Sequence, residues 1–164
     1  MTVQFTVPGE PVGKGRPRFR RAGAYVSTYT PERTVSYENL VKLMYEDQCG
    51  GYMFPKEVPL GMAVVAYYTI PKSTGKRKRA EMLAEKLRPL KKPDSSNVLK
   101  AIEDALNKVA YYDDTQIVDT CVRRFYSDEP RVYVVSRDVS DGSLFEDNYH
   151  EDSERCNKGQ NCQL

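Results

Sequence analysis

The carboxylates of Asp94, Asp113 and Asp114 and the ammonium group of Lys100 have the types and spacing to do chemistry. Hard cations such as Mg²⁺ prefer carboxylate oxygens and water as ligands. Hydrolysis of a phosphodiester needs a metal that activates water and neutralises the charge developing on the phosphate. Converging aspartates with one lysine are the smallest set that supports this reaction. The pattern therefore indicates a metal-dependent site that acts on phosphates.

The same side chains also have ordinary structural interpretations. Asp94 could cap a helix, Asp113 and Asp114 could form a solvated turn, and Lys100 could be a surface cation. The helix predicted between the two acidic positions has about a dozen residues and is therefore about 18 Å long. The two positions can meet only if the chain folds back through residues 110–112. Spacing leaves both interpretations open.

The helix between the acidic positions is the clearest predicted element. Its apolar residues recur at the helical period and form one stripe: Val98, Leu99, Ile102, Ala105, Leu106 and Val109. Asn97, Lys100, Asp104 and Lys108 fall on another face. Two strands follow at residues 116–126 and 131–137, and the turn residues 127–130 between them predict a hairpin.

The first half of the chain predicts four more elements. A β-branched strand covers residues 2–7, and a helix begins at Thr30-Pro31-Glu32, with Thr30 as its cap, and ends near residue 49 before two glycines. An apolar strand spans residues 58–70, and a basic helix spans residues 76–87. The apolar strand and the preceding helix are candidates for either core or a subunit interface.

The composition indicates a cytoplasmic protein with a polyanionic partner. No apolar segment is long enough to cross a membrane, and the N-terminus does not have the order of a signal peptide. The four cysteines form no CxxC pair, which argues against a zinc site. Residues 1–137 have 23 basic and 16 acidic side chains, whereas residues 138–164 have seven acidic and two basic ones. A body of net charge +7 suits nucleic acid, and we expect residues 139–164 to form a flexible acidic tail.

Three basic clusters are candidates for contact with DNA phosphates. The first is an expected extended loop after the first strand, the second begins the basic helix, and the third follows that helix. The candidate residues are Lys14, Arg16, Arg18, Arg20, Arg21, Lys76, Arg77, Lys91 and Lys92. Arginine and lysine contacts to phosphate carry no base specificity, so recognition would depend on the shape of the DNA. A solvated helix face is an equal alternative for Lys76 and Arg77.

Three motifs carry a resemblance to a known family. The sequence reads KPDSSNVLK at residues 92–100, DALN at residues 104–107 and DDTQIV at residues 113–118. This series resembles the RusA family of Holliday junction resolvases, whose pattern is like KPDxDNLxK, then DALN, then DDxQI. The segment from Pro8 to Arg18 is similar to phage-borne members. The likeness covers roughly residues 3–137, which would form one nuclease domain over residues 1–138.

The resemblance implies a small mixed α/β (α+β) domain, a mixed sheet flanked by helices, and a homodimer. It also implies paired, Mg²⁺-dependent nicks in four-way DNA junctions, with Mn²⁺ as a substitute and no small-molecule cofactor. Asp94 matches the first metal ligand of the family, Asp114 the third and Lys100 the catalytic lysine. Asp113 is the neighbour in the acidic pair. The second metal ligand of the family falls on Ser96.

Ser96 is the main departure from the family pattern. A hydroxyl can coordinate a cation, but it contributes no negative charge, so we expect weaker metal binding. As an ordinary structural residue, Ser96 could cap a helix. The exchange is compatible with a laboratory knock-out, a natural relic, or a variant in which Asp113 substitutes. Two functional hypotheses follow, namely a junction-cutting nuclease and a junction-binding protein that no longer cuts. A third is an RNA-binding or protein-binding module whose motifs are coincidental.

Overall fold

The computed structural model describes residues 1–15, 18–22, 25–29 and 31–141, with side chains described for residues 1–15 and 31–141. The elements in chain order are β1 Thr2–Pro8, β2 Arg18–Ala22, β3 Tyr25–Tyr29, α1 Glu32–Cys49, β4 Leu60–Thr69, α2 Lys76–Leu83, α3 Ser95–Leu106, a short 3₁₀ helix Asp114–Gln116, β5 Ile117–Ser127 and β6 Arg131–Asp138. None of the described helices is both long and apolar enough to span a membrane.

Four strands form a mixed sheet in the order β1-β6-β4-β5. β4 is parallel to β5 and antiparallel to β6, and β6 is antiparallel to β1. All residues of β4 from Leu60 to Val64 are buried, and this burial accounts for the continuous apolar run in its sequence. The expected mixed α+β fold is confirmed.

The hairpin predicted for the last two strands is wrong. β5 and β6 do not pair with each other, because β4 lies between them and pairs with both. The three residues Asp128, Glu129 and Pro130 connect the strands across the width of β4. Extended chain covers about 3.3 Å per residue, so this connection is long enough to pass one strand. The turn residues indicated correctly that the chain reverses direction. Both strands, however, pair with β4, the apolar strand that precedes them in the sequence.

Helices α1 and α3 pack on one face of the sheet and form the core with it. The alternating residues Val3, Phe5 and Val7 of β1 point into this core. From the predicted stripe of α3, Val98, Ile102, Ala105 and Leu106 are fully buried, so the predicted orientation of that helix is confirmed. The apolar residues of α1 and β4, which were candidates for a subunit interface, mostly pack inside this domain. Tyr37 and Val41, for example, belong to the same core.

The helix boundaries differ from the predictions in two places. α1 begins at Glu32 with Pro31 as its N-cap residue, and no side chain caps it; the predicted cap Thr30 lies outside the described residues. The C-terminus was predicted correctly, because Gly50 adopts a left-handed conformation with φ 62°. α2 ends at Leu83, four residues earlier than predicted, since Glu85 has φ 59° and the Lys86 amide donates to the Glu81 carbonyl at 3.0 Å.

The predicted basic loop is in part a strand. Residues Arg18–Ala22 form β2, which pairs with β3 in a separate antiparallel ribbon. The partner strand β3, Tyr25–Tyr29, is rich in β-branched and aromatic residues, which favour extended, paired backbone. Arg18, Arg20 and Arg21 therefore lie on a strand. Arg16 lies outside the described residues, as does the predicted acidic tail from residue 142 onward.

Candidate functional site

The chain folds back after α3 and brings Asp114 alongside that helix. The helix ends because Asn107 is extended and Lys108 has φ 65°. The Lys108 amide then donates to the Tyr111 carbonyl at 2.8 Å. Tyr111 is fully buried, and its hydroxyl donates to the Glu103 carbonyl at 2.7 Å. The fold-back assumed from the sequence is therefore present.

Asp114 meets Lys100 as a result, at 3.2 Å between Oδ2 and Nζ. Three further residues extend this contact into a chain of alternating charges, which we call the ion chain. Lys100 Nζ lies 3.0 Å from Asp104 Oδ1, Asp104 Oδ2 lies 2.7 Å from Lys14 Nζ, and Lys14 Nζ lies 2.6 Å from Glu38 Oε1. The ion chain connects the segment after β1, α1, α3 and the 3₁₀ helix.

The contacts of the ion chain favour the charged forms of Asp104 and Lys100, as the pKa values of both side chains indicate. Burial opposes ionisation of Asp104, but hydrogen bonds from Lys14 and Lys100 outweigh it, and the pKa of Asp104 is lowered. The hydrogen bond to Asp104 is the main reason that the pKa of Lys100 is raised, and Asp114 adds to it. Glu103, half-buried beside these groups, has a raised pKa because of desolvation. Lys100 is therefore a stable cation beside Asp114.

Asp94 is the N-cap residue of α3. Its Oδ1 accepts a hydrogen bond from the Asn97 amide at 2.9 Å and another from the Ser96 hydroxyl at 3.2 Å. The bond from the Asn97 amide is the main cause of the lowered pKa of Asp94. The cap considered for Ser96 therefore belongs to Asp94. Because Asp94 is exposed, a capping role does not prevent its carboxylate from meeting a ligand.

The loop that leads into Asp94 is fastened to the end of the sheet. The hydroxyl of buried Tyr68 donates to the Pro93 carbonyl at 2.9 Å. Arg124 donates to the Lys91 carbonyl, and Arg88 donates to the Arg124 carbonyl at 2.7 Å. These bonds fix the backbone directly before Asp94, so the position of its carboxylate depends on β4 and β5 as well as on α3.

The carboxylate of Asp113 makes different contacts from the carboxylate of Asp114. Its Oδ1 accepts from the Thr115 amide at 3.1 Å and from the Thr115 hydroxyl at 2.7 Å, which lowers its pKa. Together with Gln116 it forms a capping box at the 3₁₀ helix. Its other oxygen lies 3.7 Å from Lys108 Nζ. The contacts of Asp113 are those of a helix cap.

A cleft of about 1000 Å³ opens beside Asp94. One wall is the segment after β1, another is the first turn of α1, and a third is the loop before α3 together with Asn97. Gly13 allows the walls to approach closely, because a Cβ there would lie 2.6 Å from Pro93 Cβ. The backbone of this wall is also bonded to α3, with the Lys14 amide donating to the Asn97 carbonyl at 2.9 Å.

The predicted DNA-binding cations occupy three different environments. Lys14 is held by two carboxylates in the ion chain, whereas Lys91 and Lys92 are exposed at the cleft. Lys76 and Arg77 are exposed in the first turn of α2, and Arg77 pairs with Glu81 at 3.2 Å. The arginines of β2 are in the ribbon described above.

The donors for a divalent cation are oxygens of the type that Mg²⁺ prefers. No group of three or more acidic, histidine or cysteine side chains converges on one point among the residues that the structure describes. Mg²⁺ is usually bound by one or two carboxylates, with waters and substrate phosphates as its other ligands. Asp94 and Asp114, with the Ser96 hydroxyl, fit such an incomplete set in chemical type.

Sequence reasoning missed several residues that shape this site. The Lys100–Asp104 contact has the i, i+4 spacing of a helical ion pair, and that signal could have found it. Glu38 and Tyr68 contact the site from distant segments, and no periodicity in the sequence marks them. Arg33 lines the cleft from α1, and its sequence neighbourhood is that of an ordinary helix start.

Comparison with known families identifies the class of protein. Residues 8–135 match the family described as Endodeoxyribonuclease RusA. The chain therefore belongs to the RusA endodeoxyribonuclease family, as its motifs predicted. This membership implies Holliday junction resolvase activity on branched DNA, and such resolvases generally depend on a divalent metal. The interpretation of the motifs as coincidental is set aside.

A relative from Bacillus subtilis (strain 168) is similar over most of both chains. It is the uncharacterized protein YqaN, which is 40% identical over 143 residues. The aligned region covers 84% of this chain and 97% of YqaN. The similarity therefore covers much more of the chain than the three motifs.

Proposed function

We propose that this chain is a Mg²⁺-dependent endonuclease that resolves four-way DNA junctions by paired, symmetric nicks. The contact between Lys100 and Asp114 is the observation that carries the proposal. It brings the first and third motifs of the family together across the fold-back, although fourteen positions separate the two residues in the sequence. The fold-back thus gives Lys100 a carboxylate partner outside its own helix.

Asp94 and Asp114 would hold the metal, with Ser96 as a weak ligand and Asp113 as the neighbouring acid. Bound Mg²⁺, or Mn²⁺ in its place, supplies Lewis acidity and activates water for attack on the phosphate. Lys100 stays protonated between two carboxylates, and its ammonium group stabilises the charge that develops on the phosphate. The helix cap orients the Asp94 carboxylate, because the Asn97 amide holds one of its two oxygens.

A homodimer follows from the reaction. Two symmetric nicks need two active sites related by a two-fold axis, and a two-fold dimer provides them. We propose that this dimer acts on DNA in the cytoplasm. Sedimentation of the full chain alone and with a four-way junction measures the subunit number.

The test compares the chain with its Ser96→Asp variant on a synthetic four-way junction at about 10 mM Mg²⁺, which saturates a weak carboxylate site. We expect Ser96→Asp to bind Mg²⁺ more tightly in calorimetry and to cut faster. The matched control is Ser95→Asp, which adds the same charge one residue earlier, about 100° around the helix. If Ser96→Asp leaves the junction uncut, the nuclease assignment fails.

Ser96 also favours a second candidate, a junction-binding protein that does not cut. With a hydroxyl at this position, one acid fewer faces the phosphates, so binding without metal is tighter than in a chain with aspartate. This candidate predicts salt-sensitive junction binding in EDTA and no nicks in Mg²⁺. Cutting by the chain with Ser96 in place would exclude it.

A further inference from the structure

The cleft beside Asp94 has a lining that is basic and apolar at the same time. Four cations, Lys14, Arg33, Lys91 and Lys92, line it together with two acids, Glu10 and Asp94. The remaining lining is mostly proline, valine and glycine: Pro11, Val12, Gly13, Gly15, Pro31 and Pro93. A surface that only contacted the outside of a duplex would need cations alone, whereas apolar walls suit sugars and bases.

Two of the four cations have neither an ion pair nor an aromatic contact with any described residue. Arg33 and Lys92 are exposed. Lys14 is neutralised within the ion chain, and Lys91 lies over the ring of Tyr68 at 5.2 Å. Glu10 accepts a hydrogen bond from the Thr69 amide at 3.0 Å, which fixes this acid at the end of β4. Arg33 and Lys92 are therefore the cations available to a phosphate.

Arg33 occupies a position that costs helix stability. It lies in the first turn of α1, which begins at Glu32. The N-terminal end of a helix carries a partial positive charge, so a cation there is unfavourable. Arg33 has no ion pair among the described residues, so nothing described there offsets its unfavourable interaction with the helix dipole. Its position at the mouth of a cleft points to a ligand.

The size of the cleft limits that ligand. Its volume of about 1000 Å³ is at the upper end of the roughly 300–1,000 Å³ range of small-molecule sites. A few nucleotides of one strand fit this space, but a duplex does not. The walls are also fixed in advance, because the Gly15 amide donates to Thr34 Oγ1 at 3.2 Å and the Lys14 amide is bonded to α3.

We propose that this cleft binds the DNA strand to be cut, as a few unstacked nucleotides next to the scissile phosphate. Arg33 and Lys92 contact its phosphates, and the proline and valine surfaces contact its sugars and bases. The proposal rests on the proposed nuclease function for the identity of the strand. A branch point supplies such a strand, because its nucleotides are less constrained by stacking than those of a linear duplex.

The experiment measures DNA binding by full-length Arg33→Ala and Lys92→Ala in EDTA, so that it does not depend on cutting. The probes are a deoxythymidine single strand, a four-way junction and a linear duplex, each titrated by fluorescence anisotropy at several salt concentrations. Each variant should bind the single strand and the junction about five-fold more weakly at about 0.1 M salt, with a salt slope smaller by about 0.7 for the single strand. Binding to the linear duplex should not change.

Lys42→Ala is the matched control. Lys42 lies nine residues further along α1 and two and a half turns away, on the opposite side of the helix. It should bind all three probes as the unaltered chain does. The melting temperature of Arg33→Ala should be unchanged or slightly higher, because an unfavourable charge is removed from the helix start.

Two outcomes would overturn the cleft proposal. Unchanged binding to the single strand would mean that the cleft does not hold DNA, even if the chain cuts junctions. An equal loss for the linear duplex would mean that Arg33 and Lys92 contact an intact double helix. Conversely, a selective loss of single-strand binding supports the cleft even where Ser96→Asp fails to cut, so the two proposals fail separately.

Discussion

Lys100 Nζ lies 3.2 Å from Asp114 Oδ2, and the same ammonium group lies 3.0 Å from Asp104 Oδ1. Lys100 is thus held by one carboxylate of its own helix and one from the segment after the fold-back. Its side chain is about half exposed, at 47%, so it can reach a phosphate while keeping one carboxylate partner. This geometry makes Lys100 a catalytic residue in the proposed function, not only a surface cation.

The first prediction concerns Lys100→Met in the Ser96→Asp background. Loss of an ammonium group that stabilises developing charge should lower the single-turnover rate of junction cutting by about 10²–10³-fold. The affinity for the junction in EDTA should fall by no more than the loss of one lysine–phosphate contact would cause. Lys108→Met is the control, because Lys108 lies near Asp113 and not Asp114, and its rate should be unchanged. Equal rates for the two variants would contradict the role of Lys100.

The features of the site that could be predicted from sequence depend on residues that lie close together along the chain. The stripe of α3 fixed which face is buried, and the i, i+4 spacing of Lys100 and Asp104 placed them together on the other face. The motif series predicted Asp94, Asp113 and Asp114 as the candidate acids. Lys14 and Glu38 could not be assigned in this way, because the contacts of Lys14 with Asp104 and Glu38 depend on how α1 packs on α3.

The mistaken hairpin has a similar cause. The turn between β5 and β6 reports only that the chain reverses direction. Which strands become neighbours depends on β4, whose apolar side chains gain most from a central position. Strand order thus depends on which side chains are buried over the whole sheet, whereas the conformation of a turn depends on a few adjacent residues. The same limit applies to Tyr68, whose bond to Pro93 joins the end of β4 to the loop before Asp94.

The second prediction concerns Tyr68→Phe, which removes the hydroxyl that donates to the Pro93 carbonyl. The lost hydrogen bond should lower the free energy of unfolding by about 0.5–1.5 kcal/mol. Because Pro93 directly precedes Asp94, the cutting rate of the Ser96→Asp background should also fall, and the apparent Mg²⁺ affinity should weaken.

The Tyr45→Phe variant distinguishes an effect on the position of Asp94 from an effect on protein stability alone. The Tyr45 hydroxyl also donates to a backbone carbonyl, that of Tyr52, and Tyr45 is also fully buried. Its variant should lose similar stability, with cutting rate and Mg²⁺ affinity unchanged. If both tyrosine variants lower the rate equally, the effect of Tyr68 is only one of stability.

The third prediction concerns Gly13→Ala. The added methyl would meet Pro93 Cβ at 2.6 Å and Asn97 Cβ at 3.0 Å. Neither of these atoms is the end of a flexible side chain, so the segment after β1 must move away from α3, at about 1–3 kcal/mol. We expect a lower melting temperature and weaker single-strand binding. Gly75→Ala is the control, since no atom lies within 4 Å of a Cβ there. Comparable losses in both variants would argue against close packing at Gly13.

The fourth prediction is a pH dependence that Asp104 imposes on stability. The folded pKa of Asp104 lies below its ordinary value of 3.8, since hydrogen bonds from Lys14 and Lys100 outweigh the effect of burial. A carboxylate with a lowered folded pKa stabilises the protein above its unfolded pKa, and this contribution is lost as the pH falls through the folded pKa. Asp104→Asn should therefore be less stable than the unaltered chain at pH 7, by about 1–3 kcal/mol. The difference should shrink between about pH 5 and pH 2.

Urea unfolding of the two chains across that pH range measures this difference directly. The other carboxylates titrate in both chains, so their contributions cancel in the comparison. Glu38 still pairs with Lys14 when Asp104 is neutral. Glu38→Gln is therefore the matched variant, because it removes the other carboxylate that pairs with this lysine. In Asp104→Asn, Lys100 keeps only Asp114 as a partner, so the pKa of Lys100 should fall toward its ordinary value. A stability difference that stays constant from pH 7 to about pH 2 would show that the loss comes from packing and not from the charge of Asp104.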